Sequence, residues 1–164
     1  MMDGSSVLRV LAVLQAADVE VWIGGGWGVD ALVGRRTRAH RDLDLMHKAE
    51  QEPRVVAALR ASGFVVTLDE RPVRFVMADD AGVELDLHPL VFAEDGSAVQ
   101  AADASGGRFE YPADCFVTGS IEQARVPCLS AAQQVYFHQG YEPAGRDLHD
   151  MALLRDEFGV ATHF

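Results

Sequence analysis

Cysteine is almost missing from this chain of 164 residues: Cys115 and Cys128 are the only two. Two thiols cannot form a disulfide framework, so the fold must rest on its own core, as in a reducing compartment. Long apolar runs are missing too. No stretch approaches the ~20 residues that span a bilayer. The start, Met1-Met2-Asp3-Gly4-Ser5-Ser6, has neither the basic residues nor the apolar stretch of a signal peptide. A cytoplasmic protein with no membrane partner is expected. Positive charge is scarce, with 14 Lys and Arg against 25 Asp and Glu and a net charge of −11. Such a chain repels the phosphate backbone of nucleic acid. It suits a small cationic partner better, although an acidic surface also serves solubility. No G-x-x-x-x-G-K-[ST] loop occurs, which excludes P-loop chemistry. Repeats, low-complexity tracts and obvious linkers are absent. What remains is ordinary globular composition, 49% apolar and 24% charged. The length is that of one domain, 1–164, with a core of about 7–128 and C-terminal helices over about 130–158.

Apolar spacing predicts a helix over Val7–Ala17 and another over Pro53–Ala61, stopped by Gly63. Val19–Ile23 reads as a strand broken by Gly24-Gly25-Gly26. A short helix then runs from Trp27 to Val33 and closes at Gly34. Leu43 and Leu45 alternate with Asp42 and Asp44, a strand with one polar face. Phe64–Leu68, Val73–Ala78 and Val83–Leu87 read as successive strands, the last two joined by the turn Asp79-Asp80-Ala81-Gly82. The stretch from Pro89 to Pro127 is rich in turns, with short strands at Ala98–Ala101, Arg108–Tyr111 and Ala124–Val126. Ser130 is placed to cap a helix from Ala131 to about Gly140, and a second helix runs over about Arg146–Phe158. A mixed α/β body followed by a helical end predicts an α+β fold.

The chemistry concentrates in Gly25-Gly26-Trp27-Gly28-Val29-Asp30 and His40-Arg41-Asp42-Leu43-Asp44-Leu45. A glycine turn between a strand and a helix lets backbone N–H groups approach a phosphate at the positive helix end. Asp42 and Asp44 are two apart on a strand, so both carboxylates share a face. Adjacent carboxylates repel, and a hard divalent cation relieves the repulsion. In Glu84-Leu85-Asp86-Leu87-His88 the same alternation offers Asp86 as a third carboxylate. Three carboxylates on neighbouring strands can hold two metal ions, which clamp the attacking and leaving oxygens of a phosphoryl displacement. Taken singly, a D-x-D pair marks a solvated strand face and a glycine cluster marks a turn. Gly26-Trp27-Gly28-Val29-Asp30-Ala31 also fits a dinucleotide fingerprint, but Asp42-Leu43-Asp44 follows too soon for its ribose-binding acid. The order strand, glycine turn, helix, D-x-D strand and later x-D-x strand is far more specific. Trp22 and Trp27 are expected in the core, and both cysteines as inert buried thiols.

In these residues the chain resembles the polymerase-β-like nucleotidyltransferases, with Gly25-Gly26-Trp27 followed by Asp42-Leu43-Asp44. Gly26-Trp27-Gly28-Val29-Asp30, His40-Arg41-Asp42-Leu43-Asp44 and Leu85-Asp86-Leu87-His88-Pro89 resemble the small lincosamide nucleotidyltransferases. So do Asp95-Gly96-Ser97, Pro127-Cys128-Leu129-Ser130 and Phe137-His138-Gln139-Gly140-Tyr141. The front half is similar also to the small aminoglycoside nucleotidyltransferases. One position departs from the lincosamide pattern, which tends to carry an acid where Gly24 stands.

The resemblance implies a mixed sheet with flanking helices and a helical C-terminal end. It implies transfer of a nucleoside monophosphate, usually AMP from ATP, to a hydroxyl of an antibiotic, with two Mg²⁺ ions and release of pyrophosphate. Asp42, Asp44 and Asp86 would be metal ligands, Asp86 doubling as general base. Gly25 and Gly26 would hold the triphosphate, helped by Arg38, His40 and Arg41. Glu84, His88, Phe137, His138 and Tyr141 are the candidates for the acceptor pocket. A lincosamide is the expected acceptor and an aminoglycoside the runner-up. A nucleotide-binding module without catalysis, and an enzyme modifying a protein, are the alternatives on this fold. A homodimer is compatible with the sequence.

Overall fold

The computed structural model describes residues 1–164. Asp3 caps the first helix, α1 (Gly4–Ala16), by accepting the Ser6 N–H at 2.9 Å. Val7, Val10 and Leu14 are its buried stripe. Strand β1 (Val21–Gly24) runs directly into α2 (Gly25–Val33), which Gly34 ends in a left-handed conformation. Strand β2 (Leu43–Lys48) leads to α3 (Glu52–Ala61), then to β3 (Val65–Glu70), β4 (Arg74–Ala78) and β5 (Glu84–Phe92). Asp79 makes the predicted turn before β5 by accepting the N–H groups of Ala81 and Val83. Strands β6 (Ala98–Ala101), β7 (Arg108–Tyr111), β8 (Phe116–Ile121) and β9 (Ala124–Leu129) precede α4 (Ala131–Phe137) and α5 (Gly145–Phe158).

The main sheet has the order β3-β4-β5-β2-β1-β9-β8. Its β2–β5 and β1–β9 pairs are parallel and its other pairs antiparallel, so the sheet is mixed. The outer half of β5 pairs with β6, which pairs with β7. Leu43, Leu45, Leu85 and Leu87 bury one face of the central strands with residues of α1, α2 and α3. A second cluster joins Met46, Leu90, Tyr111 and Leu129, and a third joins α2 to α4 and α5 through Val29, Val135, Met151 and Leu154. The alternation that buries the leucines sends Asp44, Asp86 and their neighbours to the other face.

Several boundaries differ from the sequence reading. Gly25 and Gly26 do not form a loose turn but begin α2. Strand β5 continues past Leu87 through Pro89 to Phe92. Pairing with β4 ends at Leu87, so the proline sits where that ladder has stopped. Strand β8 has no counterpart among the expected elements, and β9 runs on to Leu129. Their hairpin turns through Glu122 and Gln123, both at positive φ and neither a usual residue for that turn. Helix α4 ends at Phe137, short of Gly140, because the His138 ring Nδ1 lies 2.6 Å from the Gln134 carbonyl and closes the last turn. Trp27 is buried as expected, whereas Trp22 is half-buried against Phe92 and Phe116.

Candidate active site

Three strands meet at one level: Gly24 pairs with Asp44, and Asp44 pairs with Asp86. Asp42 stands just before β2, and continuing the parallel register sets it level with Glu84. The Asp44 and Asp86 carboxylates and the His88 ring have ligand atoms within 4.8 Å of one another. His88 Nε2 lies 3.1 Å from Asp44 Oδ1 and 3.7 Å from Asp86 Oδ1. Arg74 donates to Asp86 Oδ2 at 2.8 Å and to Glu70 at 3.1 Å. Asp86 Oδ1 is buried with no hydrogen-bond partner.

Desolvation in the crowded site and then the neighbouring Asp44, Asp86 and Glu84 carboxylates raise the pKa of Asp42 above the usual range. Burial also raises that of Asp86; His88 and Arg74 oppose the rise and Asp44 adds to it. This is a cluster of oxygen donors whose charge the protein only partly balances. Its carboxylates suit a hard divalent cation, and Asp44, Asp86 and His88 are close enough together to share one ion.

Helix α2 begins beside this cluster with no side chain capping its first N–H groups. Gly25 has φ +60°, and a β-carbon there would run into Asp44 Oδ2. At Gly26 a β-carbon would meet the Arg38 guanidinium and the His40 ring. The two glycines thus let two carboxylate- and cation-bearing segments close on a bare helix end, a ready anion site. At Gly24 a β-carbon would meet the end of the Met46 side chain, which would have to shift to admit the acid common at this position in the lincosamide pattern.

The segment between α2 and β2 is pinned from two sides. Arg38 makes a bidentate pair with Asp150 of α5, at 2.9 and 2.7 Å. His40 is buried, with its Nε2 2.5 Å from Asp30 Oδ2. Thr37 donates to the same Asp30 through its hydroxyl and its backbone N–H. Arg41 is exposed and 4.0 Å from Glu84.

A cavity of about 1180 Å³ opens over these groups. Gly25, Gly26, Arg38, His40, Arg41, Asp42, Asp44, Glu84, Asp86 and His138 all line it, so the structure brings most of the expected residues together. His88 lies beneath, against Asp44 and Asp86. Phe137 and Tyr141 are corrections. Phe137 packs into an aromatic cluster with Phe109, Tyr111 and Tyr136. Tyr141 lies beyond the end of α4, exposed against Phe164, and neither residue lines the cavity.

Sequence reasoning missed Arg74, Arg146, Asp147, His149 and Asp150, which also line the cavity. Arg74 was within reach, because the turn at 79–82 sets Val76 opposite Asp86 and puts Arg74 on the same face. The α5 residues carry no local signal, since Arg38 and Asp150 are 112 positions apart.

The aminoglycoside-2''-adenylyltransferase family matches residues 6–154 of the chain. The lincosamide resistance protein of Staphylococcus haemolyticus is 32% identical over 146 residues, 89% of this chain and 90% of that one. A 2''-aminoglycoside nucleotidyltransferase of Klebsiella pneumoniae is 34% identical over 72% of this chain and 66% of its own length. Among solved structures, the lincosamide antibiotic adenylyltransferase LnuA, lincomycin-bound, superposes with a TM-score of 0.81 at 30% identity. That match covers 91% of this chain and 94% of LnuA. ANT(2'')-Ia in complex with adenylyl-2''-tobramycin shares the fold, with a TM-score of 0.74 at 24% identity over 95% and 89% of the two chains. No helix is long and apolar enough to cross a membrane.

Proposed function

Because the chain belongs to the aminoglycoside-2''-adenylyltransferase family and is a nucleotidyltransferase, we propose that it transfers AMP from ATP to a hydroxyl of a lincosamide. The observation that carries this reading is the parallel register of β2 and β5. It sets Asp44 beside Asp86, with Asp42 at the mouth of the strand and the bare end of α2 alongside.

The N–H groups of Gly25 and Gly26 at the start of α2 hold the triphosphate, with Arg38 and His40 flanking Gly26. Both side chains are already paired, Arg38 with Asp150 and His40 with Asp30, so they contribute as oriented groups. Arg41, exposed at the rim, has only Glu84 as an acidic partner, at 4.0 Å. Asp42, Asp44 and Asp86 would hold Mg²⁺, two ions in our reading, which would neutralise charge on the phosphates and on the leaving pyrophosphate. Asp86 takes the proton of the acceptor hydroxyl as that oxygen bonds to the α-phosphorus. The bond from phosphorus to the pyrophosphate oxygen then breaks. Arg74 holds Asp86 Oδ2 at 2.8 Å and fixes the carboxylate beside Asp44.

The lincosamide preference rests on the relative that matches nearly end to end, and the family match keeps an aminoglycoside as second reading. The test is incubation with each nucleoside triphosphate, Mg²⁺ and a panel of both drug classes, followed by mass spectrometry. A lincosamide gaining one AMP is the expected product. An aminoglycoside adduct alone would replace the acceptor, and no adduct on any drug would overturn the reading.

A further inference from the structure

His88 has two ring nitrogens, and its neighbours decide which one bears hydrogen. Nε2 faces Asp44 at 3.1 Å, and Nδ1 faces Gln100 Nε2 at 3.2 Å. The Gln100 amide is oriented from outside the site. The Val73 backbone carbonyl, which has no proton to give, lies 3.2 Å from the same Gln100 Nε2. Gln100 Oε1 accepts the Tyr111 hydroxyl at 2.6 Å. Turning the amide round would set oxygen against the Val73 oxygen, so its NH₂ must point to Val73 and to His88. Nδ1 therefore stays a bare acceptor. The ring hydrogen sits on Nε2 and is donated to Asp44. Gln100 and Tyr111 are both buried, so no water stands by to replace a lost bond.

We infer that Gln100 is a positioning residue for the reaction, acting on Asp44 through the orientation and tautomer of His88. The inference rests on the reading of Asp44 as a working carboxylate. Tyr111 and Val73 fix Gln100, Gln100 fixes His88, and His88 holds Asp44 Oδ1 while Oδ2 packs toward Gly25 at the helix end. A glutamate at position 100 keeps the size of the side chain and replaces its NH₂ by oxygen. An oxygen facing Nδ1 calls for a hydrogen there, so the bare Nδ1 that Gln100 enforces is lost and the hold of the ring on Asp44 changes.

The test joins a spectrum to a mutant cycle. In ¹⁵N-histidine-labelled, metal-free enzyme, His88 is expected to show a bare Nδ1 and a protonated Nε2. Gln100→Glu should lose that pattern and lower kcat about 10- to 100-fold, with a smaller change in nucleotide KM. His88→Gln, whose amide still offers a donor near the Nε2 position, should keep more activity than His88→Asn. Adding Gln100→Glu to His88→Gln should cost less than about twofold more, because no ring remains to be turned. A hydrogen on Nδ1 and none on Nε2 in the wild type would overturn the inference. So would an equal loss from Gln100→Glu with and without the histidine. An active Asp44→Asn enzyme with the spectrum as expected would overturn the reading of Asp44, and this inference with it, while leaving the hydrogen-bond order standing.

Discussion

At Asp42 the fold works against the carboxylate it presents. Asp42 keeps an exposed surface, but desolvation in the crowded site and three neighbouring acids raise its pKa, so the folded protein binds that proton more tightly than the unfolded chain. Stability is therefore lost as pH rises from the unfolded value, about 3.9, through the folded one. Asp42→Asn should melt higher than the wild type in metal-free buffer at neutral pH, and the gap should close on acidification toward pH ~4. The same variant should lose turnover, since it keeps the shape and drops the charge. Paired melting curves at several pH values check the first half, and product formation with Mg²⁺ checks the second. Asp86→Asn should lower kcat by at least about 10²-fold, the scale of losing a general base. Nucleotide affinity at fixed Mg²⁺ should change much less than kcat if its main task is proton transfer. His47 behaves in the opposite sense. Burial lowers its pKa despite the Glu52 bond, and its Nδ1 has no partner. Its contribution is present above about pH 6.5 and is lost as pH falls through the folded value. His47→Gln should therefore flatten the fall in Tm between about pH 7 and pH 5.

Among the elements, α2 carries the most constraints in the fewest residues. Its first residue, Gly25, accommodates Asp44, and its outer side lies directly on β8. A β-carbon at Gly119 would meet the Ala31 carbonyl of that helix. Gly119→Ala should cost about 1–3 kcal/mol as an overpacked contact, read from chemical denaturation. The same contact explains why β8 was not legible. Gly119 interrupts the strand pattern for a reason that lies in α2, and the hairpin after it turns on Glu122 and Gln123 without a glycine or asparagine signal. Strands β2, β4 and β5 were legible because their alternation has two clear faces. Helix α4 was overrun because its stop is a side-chain bond from His138 and not a local breaker. The Arg38–Asp150 pair ties α5 to the segment carrying His40, Arg41 and Asp42. Asp150→Ala should destabilise by about 2 kcal/mol, as lost charge-assisted bonds do, and should loosen that segment in hydrogen exchange.

Across the whole molecule, the site lies where three strands at the sheet centre meet a helix end, with His138 and the start of α5 closing the far wall. Strand phase puts Asp42 and Asp44 on one face and Asp86 on one face of its own strand, but that the two strands are parallel neighbours with Asp44 level with Asp86 comes from the structure. The far wall could not be read from the sequence, because Asp147, His149 and Asp150 reach the cavity only through the packing of α5 on α2. We propose that the β2–β5 carboxylates drive nucleotidyl transfer to a drug hydroxyl. Lincosamide-dependent release of pyrophosphate from ATP, measured in Mg²⁺ for the wild type beside Asp44→Asn, tests it most directly. Release matched by AMP-drug adduct is expected in the wild type, and neither in the variant. Equal release from both proteins would contradict it.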